Sequence, residues 1–435
     1  MRIAYLAAGA AGMYCGSCLH DNTLAAELLR MGEDVILVPI YTPLRTDEVN
    51  VSHRKVFYGG INVYMQQKWA LFRRTSRWLD WFLDHPALLR TISHFSGNVD
   101  PTQLGDLTVS MLQGEQGNQR KELEKLVDWL IDEVRPEVVH LSNSMMLGLA
   151  RMIAERFGPP VVCSLSGEDI FLEKLSEPFY SQARQLLCER ATEIDAFVAL
   201  NKYYADEMSK YLEVPRERVH VIPHGLDLAG HGVRNGQQEN EPRRIGFLAR
   251  ICADKGLHLL VEACELLCTR PECPAFELHA AGYLGKGDRD YLRKIESRVA
   301  DGPLAKRFHY HGELNREEKI KFLQSLDVFS TPTVYQESKG LPALEAQANA
   351  VPVVLPGHGS FPEMLEATSG GLLFKPHDTA DLAEKLFEVL SNTSLAKDLG
   401  EQGKLGIENK YHVSAMAEQT LGLYRTLITE KTATL

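Results

Sequence analysis

The strongest constraint on the fold is an alternation of short apolar segments with helical patterns, which starts at the N-terminus. Residues 2–8 are apolar after Arg2, and a glycine-rich loop follows. Residues 21–31 place Leu24 and Leu28 on one helical face, and residues 34–39 are apolar again after Asp34. This strand–loop–helix–strand order is typical of the opening of a Rossmann-type unit. Segments that are almost continuously apolar predict a parallel sheet that helices cover on both faces.

The same alternation occurs twice along the chain. In the first half, four later segments have the pattern of strands, at residues 138–141, 161–165, 196–200 and 219–223. After a polar stretch the pattern restarts, with strands predicted at residues 244–249, 276–281, 308–311, 327–330 and 352–355. The sequence therefore predicts an α/β fold with two Rossmann-like domains.

The domain boundaries follow from this pattern, because 435 residues are too many for one ordinary core. We assign residues 1–226 to an N-terminal domain and residues 243–410 to a C-terminal domain. Residues 227–242 form a polar linker that contains three glycines. Residues 411–435 are predicted to form a last helix, which is able to pack back on the first domain although the sequence alone does not require it.

Composition limits the partners and the location. The chain has 47 lysines and arginines against 58 aspartates and glutamates, a net charge of −11, which opposes binding to nucleic acid. No apolar run reaches the ~18 residues that a membrane span needs. The eight cysteines are scattered, several of them in segments predicted to be buried. This usage favours reduced thiols in a cytoplasmic protein over a disulfide framework.

The most specific chemical signal is the segment 335–345, in which Glu337 and Glu345 stand eight positions apart with Gly340 and Pro342 between them. Proline suits the first turn of a helix, so we expect a helix to begin here. The free N–H groups and the dipole of a helix N-terminus attract phosphate. We expect Glu345, in the first turn, to reach a ribose diol and Glu337 to accept hydrogen bonds from a sugar. Taken alone, Glu345 equally suits a charge that complements the dipole.

Two cations follow the first strand of the second half. Arg250 and Lys255 are expected at the carboxyl end of that strand, on the same side as the helix at Pro342. Together they would neutralise a diphosphate and stabilise the charge on a leaving nucleotide. Either cation alone is also typical of a solvated loop.

Residues 244–256, 282, 311–314 and 335–357 resemble the donor-binding half of the retaining glycosyltransferases called family 4, which have the GT-B fold. The resemblance covers the second half of the chain well and the first half loosely. It implies two Rossmann-like domains, for acceptor and donor, that face each other across a cleft. It further implies a hexosyltransferase that moves a sugar from a nucleotide diphosphate-sugar to a carbohydrate, glycan or lipid-linked acceptor, with no other cofactor and no metal.

The resemblance also implies roles for individual residues. Arg250 and Lys255 match the pair that binds the diphosphate, Glu337 matches a sugar-binding residue with a part in catalysis, and Glu345 matches the residue that binds the ribose. The further donor-binding positions that it implies are Gly282, Glu313, Leu314, Gly340, Leu341 and Pro342. It suggests a front-face reaction in which the leaving diphosphate acts as the base for the acceptor hydroxyl.

Three positions depart from the family pattern. Ser166 stands where relatives usually carry histidine near the anomeric carbon, His224 where asparagine is usual, and Ala350 where glycine is frequent. For Ser166, three interpretations remain open: a backbone carbonyl supplies the contact, the chemistry differs, or the site is impaired. The residues that we expect to line the acceptor side or the cleft are Gly12, His20, Asp21, Asn22, Ser166, Glu168 and Asp169.

Two short motifs resemble metal sites. Cys15 and Cys18 form a CxxC pair without a second pair of ligands, so a loop near the acceptor or the donor phosphate is the better interpretation. Asp288 and Asp290 form a DxD, but they stand where a helix opens and suit its dipole. We therefore expect no metal.

Residues 68–86 are basic and aromatic, which fits a cover over the acceptor site as well as contact with the inner face of a membrane. Two other functions remain open. A nucleotide-sugar-binding protein without transferase activity would agree with Ser166. An epimerase acting on nucleotide diphosphate-sugars agrees less well, because the first half has no GxGxxG motif and no acidic residue after its second strand.

Overall fold

Two parallel six-stranded sheets organise the chain, each in its own unit. The structure, a computed structural model, describes residues 1–9, 16–53, 56–57, 104–232 and 242–434. Unit 1 consists of Met1–Gly225 and Val413–Leu435, and unit 2 of Leu226–His412. Gly12, Cys15 and residues 68–86 lie outside the described residues, so the predictions for them stay predictions.

The sheet of unit 1 has the order β2-β1-β3-β4-β5-β6, and every neighbouring pair is parallel. Its strands are β1 (Arg2–Ala7), β2 (Asp34–Pro39), β3 (Val138–Leu141), β4 (Val161–Ser164), β5 (Ala196–Ala199) and β6 (Val219–Val221). Strands β3, β4 and β5 are buried along their whole length. Burial on both faces explains why their sequences show no polar alternation.

Helices of unit 1 connect these strands. The α-helices are α1 (Gly16–Arg30), α2 (Gly105–Gln113), α3 (Arg120–Trp129), α4 (Ala150–Arg156), α5 (Asp169–Leu172), α6 (Phe179–Ala191) and α7 (Lys202–Tyr211). Shorter turns of other types occupy Gly114–Gln116, Leu130–Val134, Ser144–Leu149 and Arg216–Arg218. Asn201 caps α7, because its side chain accepts a hydrogen bond from the amide of Tyr204.

The C-terminal helix, Val413–Thr434, belongs to unit 1. Its apolar positions Met416, Leu421 and Tyr424 share a buried core with Ile3 of β1 and Leu24 of α1. Tyr424 and Met416 are buried, and fully burying a methionine side chain stabilises by roughly 1.5–3 kcal/mol. The helix lies within the range 411–435 that the sequence predicts for it.

The sheet of unit 2 has the order β12-β11-β10-β7-β8-β9 and is also parallel throughout. Its strands are β7 (Arg243–Leu248), β8 (Phe276–Ala281), β9 (Phe308–Tyr310), β10 (Val328–Phe329), β11 (Val353–Pro356) and β12 (Gly371–Phe374). The sequence did not predict β12. The reason is that this edge strand buries only Phe374 fully, so its apolar signal is weak.

The helices of unit 2 are α8 (Leu257–Cys268), α9 (Arg289–Ala300), α10 (Arg316–Gln324), α11 (Leu341–Ala348), α12 (Phe361–Thr368), α13 (Thr379–Ser391) and α14 (Thr393–Lys410). A capping box of Asn315 and Glu318 begins α10. Asp288 lies directly before α9 and Asp290 in its first turn, as a helix dipole favours. Within the described residues, no helix is both long enough and apolar enough to cross a membrane.

Candidate functional site

The carboxyl ends of β7, β8 and β9 gather several predicted donor-binding residues at one edge of the sheet of unit 2. Gly282 follows β8 directly, and its amide donates to the carbonyl of Gly312 at 2.8 Å. Its φ is +139°, and a Cβ there would lie 1.8 Å from the carbonyl oxygen of Ala249. Only glycine fits this close approach. Beyond β9, Glu313 is exposed and Leu314 is half-buried.

Lys255 and Glu337 form a partly buried ion pair at this edge. Lys255 Nζ lies 2.6 Å from Glu337 Oε2, and the side chains are 23% and 10% exposed. Tyr335 contacts both partners: its hydroxyl donates to Glu337 Oε2 at 2.7 Å and accepts from Lys255 Nζ. The amide of Lys339 donates to Glu337 Oε1 at 3.2 Å. Tyr335, which the sequence analysis did not single out, therefore fixes the predicted sugar-binding carboxylate.

Opposing effects set the charge of this pair. Burial by itself would raise the pKa of Glu337, but the charge of Lys255 and the hydrogen bonds from Lys255, Tyr335 and Lys339 hold it at about 2. Burial would lower the pKa of Lys255, and the charge of Glu337 raises it well above its ordinary value. Both groups are therefore ionised at neutral pH, and Glu337 is a hydrogen-bond acceptor.

Two cationic side chains have N–H donors that contact no acceptor among the described residues. Lys255 carries three N–H donors and directs two of them at Tyr335 and Glu337. Arg250 is exposed as a residue, and its Nε lies 3.4 Å from Cys252 Sγ in a partly buried contact. Within the part of the chain that the structure describes, its two terminal nitrogens contact no acceptor. Both side chains are therefore able to bind an added anion.

The N-terminus of α11 lies next to this pair in sequence. Gly340 precedes the helix with φ +67°, and a Cβ there would lie 2.6 Å from Met364 Cε. Pro342 is the second helical residue, where its missing N–H costs no hydrogen bond. Among the described residues, the amides of Gly340 and Leu341 have no acceptor. This N-terminus therefore has the donors and the dipole that attract an anion.

Glu345 is the fifth residue of α11, so it lies beyond the first turn that we expected for it. It is 5% exposed, and its Oε1 lies 2.5 Å from Nζ of Lys319 on α10. Lys319 was not predicted at this site, because a lysine in a helix with several charged residues is typical of a solvated side chain. The ion pair holds the carboxylate of Glu345 in place. A ribose hydroxyl that bound there would donate to a carboxylate already paired with Lys319.

In unit 1, the residues predicted on α1 face the interior. His20 Nδ1 lies 2.8 Å from Nδ1 of His224, and the hydroxyl of Tyr5 donates to Asp21 Oδ1 at 2.8 Å. Asn22 fixes the segment after β2, since it donates to the carbonyl of Val49 and accepts from the amide of Val51. All three are buried, so their hydrogen bonds stabilise unit 1.

The loop after β4 is also held by its own side chains. Glu168 accepts from the amide of Ser166 at 2.6 Å and from the amide of Ser144 at 2.8 Å. Asp169 accepts from the hydroxyl of Tyr204 at 2.6 Å. Ser166 is half-buried. Glu168 therefore holds the amide of Ser166 directly, and Asp169 orients the Tyr204 hydroxyl that accepts from the amide of Gly167.

Two family models match the chain in succession. The first, described as Glycosyltransferase Family 4, matches residues 113–229. The second, described as Glycosyl transferases group 1, matches residues 233–406 and so includes the Lys255–Glu337 pair and α11. Together the two matches cover parts of both units.

Curated relatives and solved structures agree with these matches. The amylovoran biosynthesis glycosyltransferase AmsK of Erwinia amylovora is 29% identical over 180 residues, which are 40% of this chain and 42% of the relative. The chain spans about half the length of the curated relatives that it matches. The sucrose-phosphate synthase of Thermosynechococcus elongatus has a TM-score of 0.73 at 16% identity, over 99% of this chain and 100% of that one. Anabaena HepE in complex with UDP-glucose has a TM-score of 0.65 at 15% identity, over 100% of both chains.

Proposed function

Because the chain belongs to the family 4 glycosyltransferases of the GT-B fold, we propose that it is a retaining hexosyltransferase. It takes the sugar from a nucleotide diphosphate-sugar and gives it to a carbohydrate, glycan or lipid-linked acceptor. The observation that carries the proposal is the partly buried Lys255–Glu337 ion pair beside the N-terminus of α11. UDP-glucose is the first donor to test, since HepE has been solved with it.

In this proposal the donor diphosphate binds where positive charge is concentrated. The third N–H of Lys255, the terminal nitrogens of Arg250 and the amides of Gly340 and Leu341 are donors with no acceptor in the described residues. When the bond between the sugar and the diphosphate breaks, negative charge grows on the phosphate oxygen. Fixed donors that already point at this charge lower the barrier, because they need no reorganisation during the reaction.

Glu337 would bind the hexose. Its ionised carboxylate can only accept, so it suits sugar hydroxyls that donate. Lys255 contacts both this carboxylate and, in the proposal, the diphosphate, and so it would hold the sugar and the leaving group in a fixed relation. Glu345 would bind the ribose while it remains paired with Lys319.

The transfer step follows from these positions. The electron pair of the bond between C1 and the phosphate oxygen goes to the diphosphate, and the acceptor oxygen bonds to C1 on the same face. The acceptor proton moves to a phosphate oxygen of the leaving diphosphate. This step needs no side-chain nucleophile and no metal, and it keeps the anomeric configuration of the donor.

The first experiment is a thermal-shift panel of UDP-, GDP- and ADP-sugars. A ligand at 100 times its dissociation constant stabilises the folded protein by roughly 2.7 kcal/mol. The nucleotide-sugar that shifts the melting temperature is then incubated with carbohydrate and lipid-linked acceptors, and NMR of the product gives its anomeric configuration. Binding without product from any acceptor, or a product with the opposite configuration, would refute retaining transfer.

Variants of the two cations test the site itself. Arg250→Ala and Lys255→Ala are expected to reduce turnover at least about a hundredfold, the effect of removing one fixed donor to a developing charge. The control is Lys397→Ala, which removes an exposed lysine from α14. Circular dichroism checks that each variant is folded. Turnover at the wild-type rate in both cation variants would remove the diphosphate from this position.

A further inference from the structure

Four side chains of unit 2 form a cluster that the transferase proposal does not use. Strands β8 and β9 are adjacent and parallel, and their register pairs His279 with His309. Successive side chains of a strand point to opposite faces, so Glu277 lies on the same face as His279 and His311 on the same face as His309. The sheet therefore brings one carboxylate and three imidazoles together at its β9 edge.

The distances within the cluster are close to those of a metal site. Glu277 Oε2 lies 3.1 Å from His279 Nε2 and 3.7 Å from His309 Nε2. One ligand atom from each of these three residues lies within 4.8 Å of the other two. Ligands about 2.0–2.2 Å from a tetrahedral zinc ion are separated from one another by roughly 3.3 Å. Small side-chain rotations are enough to reach that spacing.

One ligand atom has no other partner. Nε2 of His309 is buried, and it accepts or donates no hydrogen bond in the described part of the chain. A buried polar atom without a partner is costly. Its closest approach to a charged group is the 3.7 Å contact with Glu277, which is too long for a hydrogen bond. A cation between His309 and Glu277 would satisfy both.

His311 has the position of an outer partner. Its Nε2 lies 2.9 Å from Nδ1 of His279, on the opposite side of the ring from Glu277. When Nδ1 of His279 carries the proton and donates to His311, the lone pair of His279 Nε2 is available to a metal ion beside Glu277. Metal-bound histidines usually have such an outer hydrogen bond, which fixes their tautomer.

The charges around the cluster act in opposite directions on a cation. Arg244 acts on His279 and His311 through its positive charge, which opposes a bound cation. The negative charge of Glu277, 3.1 Å from His279 Nε2, offsets it.

We propose that Glu277, His279 and His309 bind one divalent transition-metal ion of the zinc class, with water as the fourth ligand and His311 as a positioning residue. Two imidazoles and one carboxylate suit zinc, cobalt or nickel, whereas magnesium and calcium prefer oxygen ligands only. His309 is 41% exposed and Glu277 29% exposed, so the ion reaches the site from solvent. The proposal is independent of the transferase activity.

The test is titration of untagged, metal-free full-length protein with Co²⁺, followed by its visible absorption, and with Zn²⁺ in calorimetry. We expect one ion per chain and the intense visible bands of four-coordinate cobalt. His279→Gln, His309→Gln and Glu277→Gln should each weaken binding at least about tenfold. His311→Gln should weaken binding while one ion per chain still binds. The matched control is His258→Gln, which removes a partly buried histidine of α8 that contacts Tyr291 instead of the cluster.

Three results would overturn the assignment. The first is wild-type protein that binds neither ion. The second is cluster variants that bind as tightly as the His258→Gln control. The third is a near-ultraviolet thiolate-to-cobalt band, which would assign the ion to cysteines instead. Circular dichroism of each variant establishes that lost binding does not come from lost folding, and His309→Gln, at the partly exposed edge of the sheet, is the variant that disturbs packing least.

Discussion

Replacing Glu337 with glutamine is expected to destabilise unit 2 by an amount that depends on pH. Folding lowers the pKa of this carboxyl from its ordinary 4.5 to about 2. A group with a lowered pKa contributes stability above its unfolded pKa and loses it as the pH falls through its folded pKa. At 1.36 kcal/mol per pKa unit, the contribution is about 3 kcal/mol at pH 7. It falls to about 1 kcal/mol at pH 3, where the unfolded chain is protonated and the folded state is still mostly ionised.

The glutamine variant is the reference for the wild type in this measurement, because its amide does not titrate. We expect the wild type to exceed Glu337→Gln in unfolding free energy by about 3 kcal/mol at pH 7, with the gap about 2 kcal/mol smaller at pH 3. Urea unfolding followed by far-ultraviolet circular dichroism measures both. All four tryptophans precede residue 130, so unit 2 contains none, and tryptophan fluorescence serves as a control signal from outside unit 2.

Other carboxylates titrate in the same range, and subtracting the variant from the wild type cancels their effect. A gap that stays constant from pH 7 to pH 3 would refute the reasoning, since it would mean that folding leaves the pKa of Glu337 unchanged. A difference in unfolding free energy that grows as the pH falls would mean that folding raises the pKa of Glu337 instead of lowering it. Tyr335→Phe removes one hydrogen bond to Glu337. Its difference from the wild type in unfolding free energy should be smaller than that of Glu337→Gln, and it should also decrease as the pH falls.

Three further predictions concern ligands, metal and backbone. In calorimetric titration, Glu345→Gln should weaken free nucleoside diphosphate and nucleotide-sugar alike, by roughly 1.5–3 kcal/mol or about ten- to a hundredfold. Glu337→Gln should leave the free nucleoside diphosphate nearly unaffected and reduce transfer; equal weakening by both variants would contradict the assignment of the sugar to Glu337. Transfer should survive excess EDTA, and complete loss that magnesium or manganese restores would contradict a metal-free reaction. Ala350 has φ +56°, so Ala350→Gly should raise the unfolding free energy by up to about 1 kcal/mol. The control Ala396→Gly, within a helix, should lower it by up to about 1 kcal/mol. A lower unfolding free energy for Ala350→Gly would show that the backbone at Ala350 is unstrained.

The sequence was sufficient for the architecture. Continuous apolar segments separated by helical patterns require burial on both faces, and two such series require two parallel sheets, as the structure has. Pro342 and Gly340 mark the start of α11 because each has a local backbone preference that does not depend on distant residues. The short edge strand β12 escaped prediction since partial burial leaves little apolar pattern.

The partners of the charged residues came only from the tertiary structure. Lys255 and Glu337 are 82 positions apart, and no local pattern states that they pair or that Tyr335 joins them. The same is true of Glu345, whose carboxylate meets Lys319 from another helix, and of His279 and His309, which become neighbours through strand register. A sequence encodes periodicity and backbone preference locally, whereas the pairing of buried charges depends on which elements the fold places side by side.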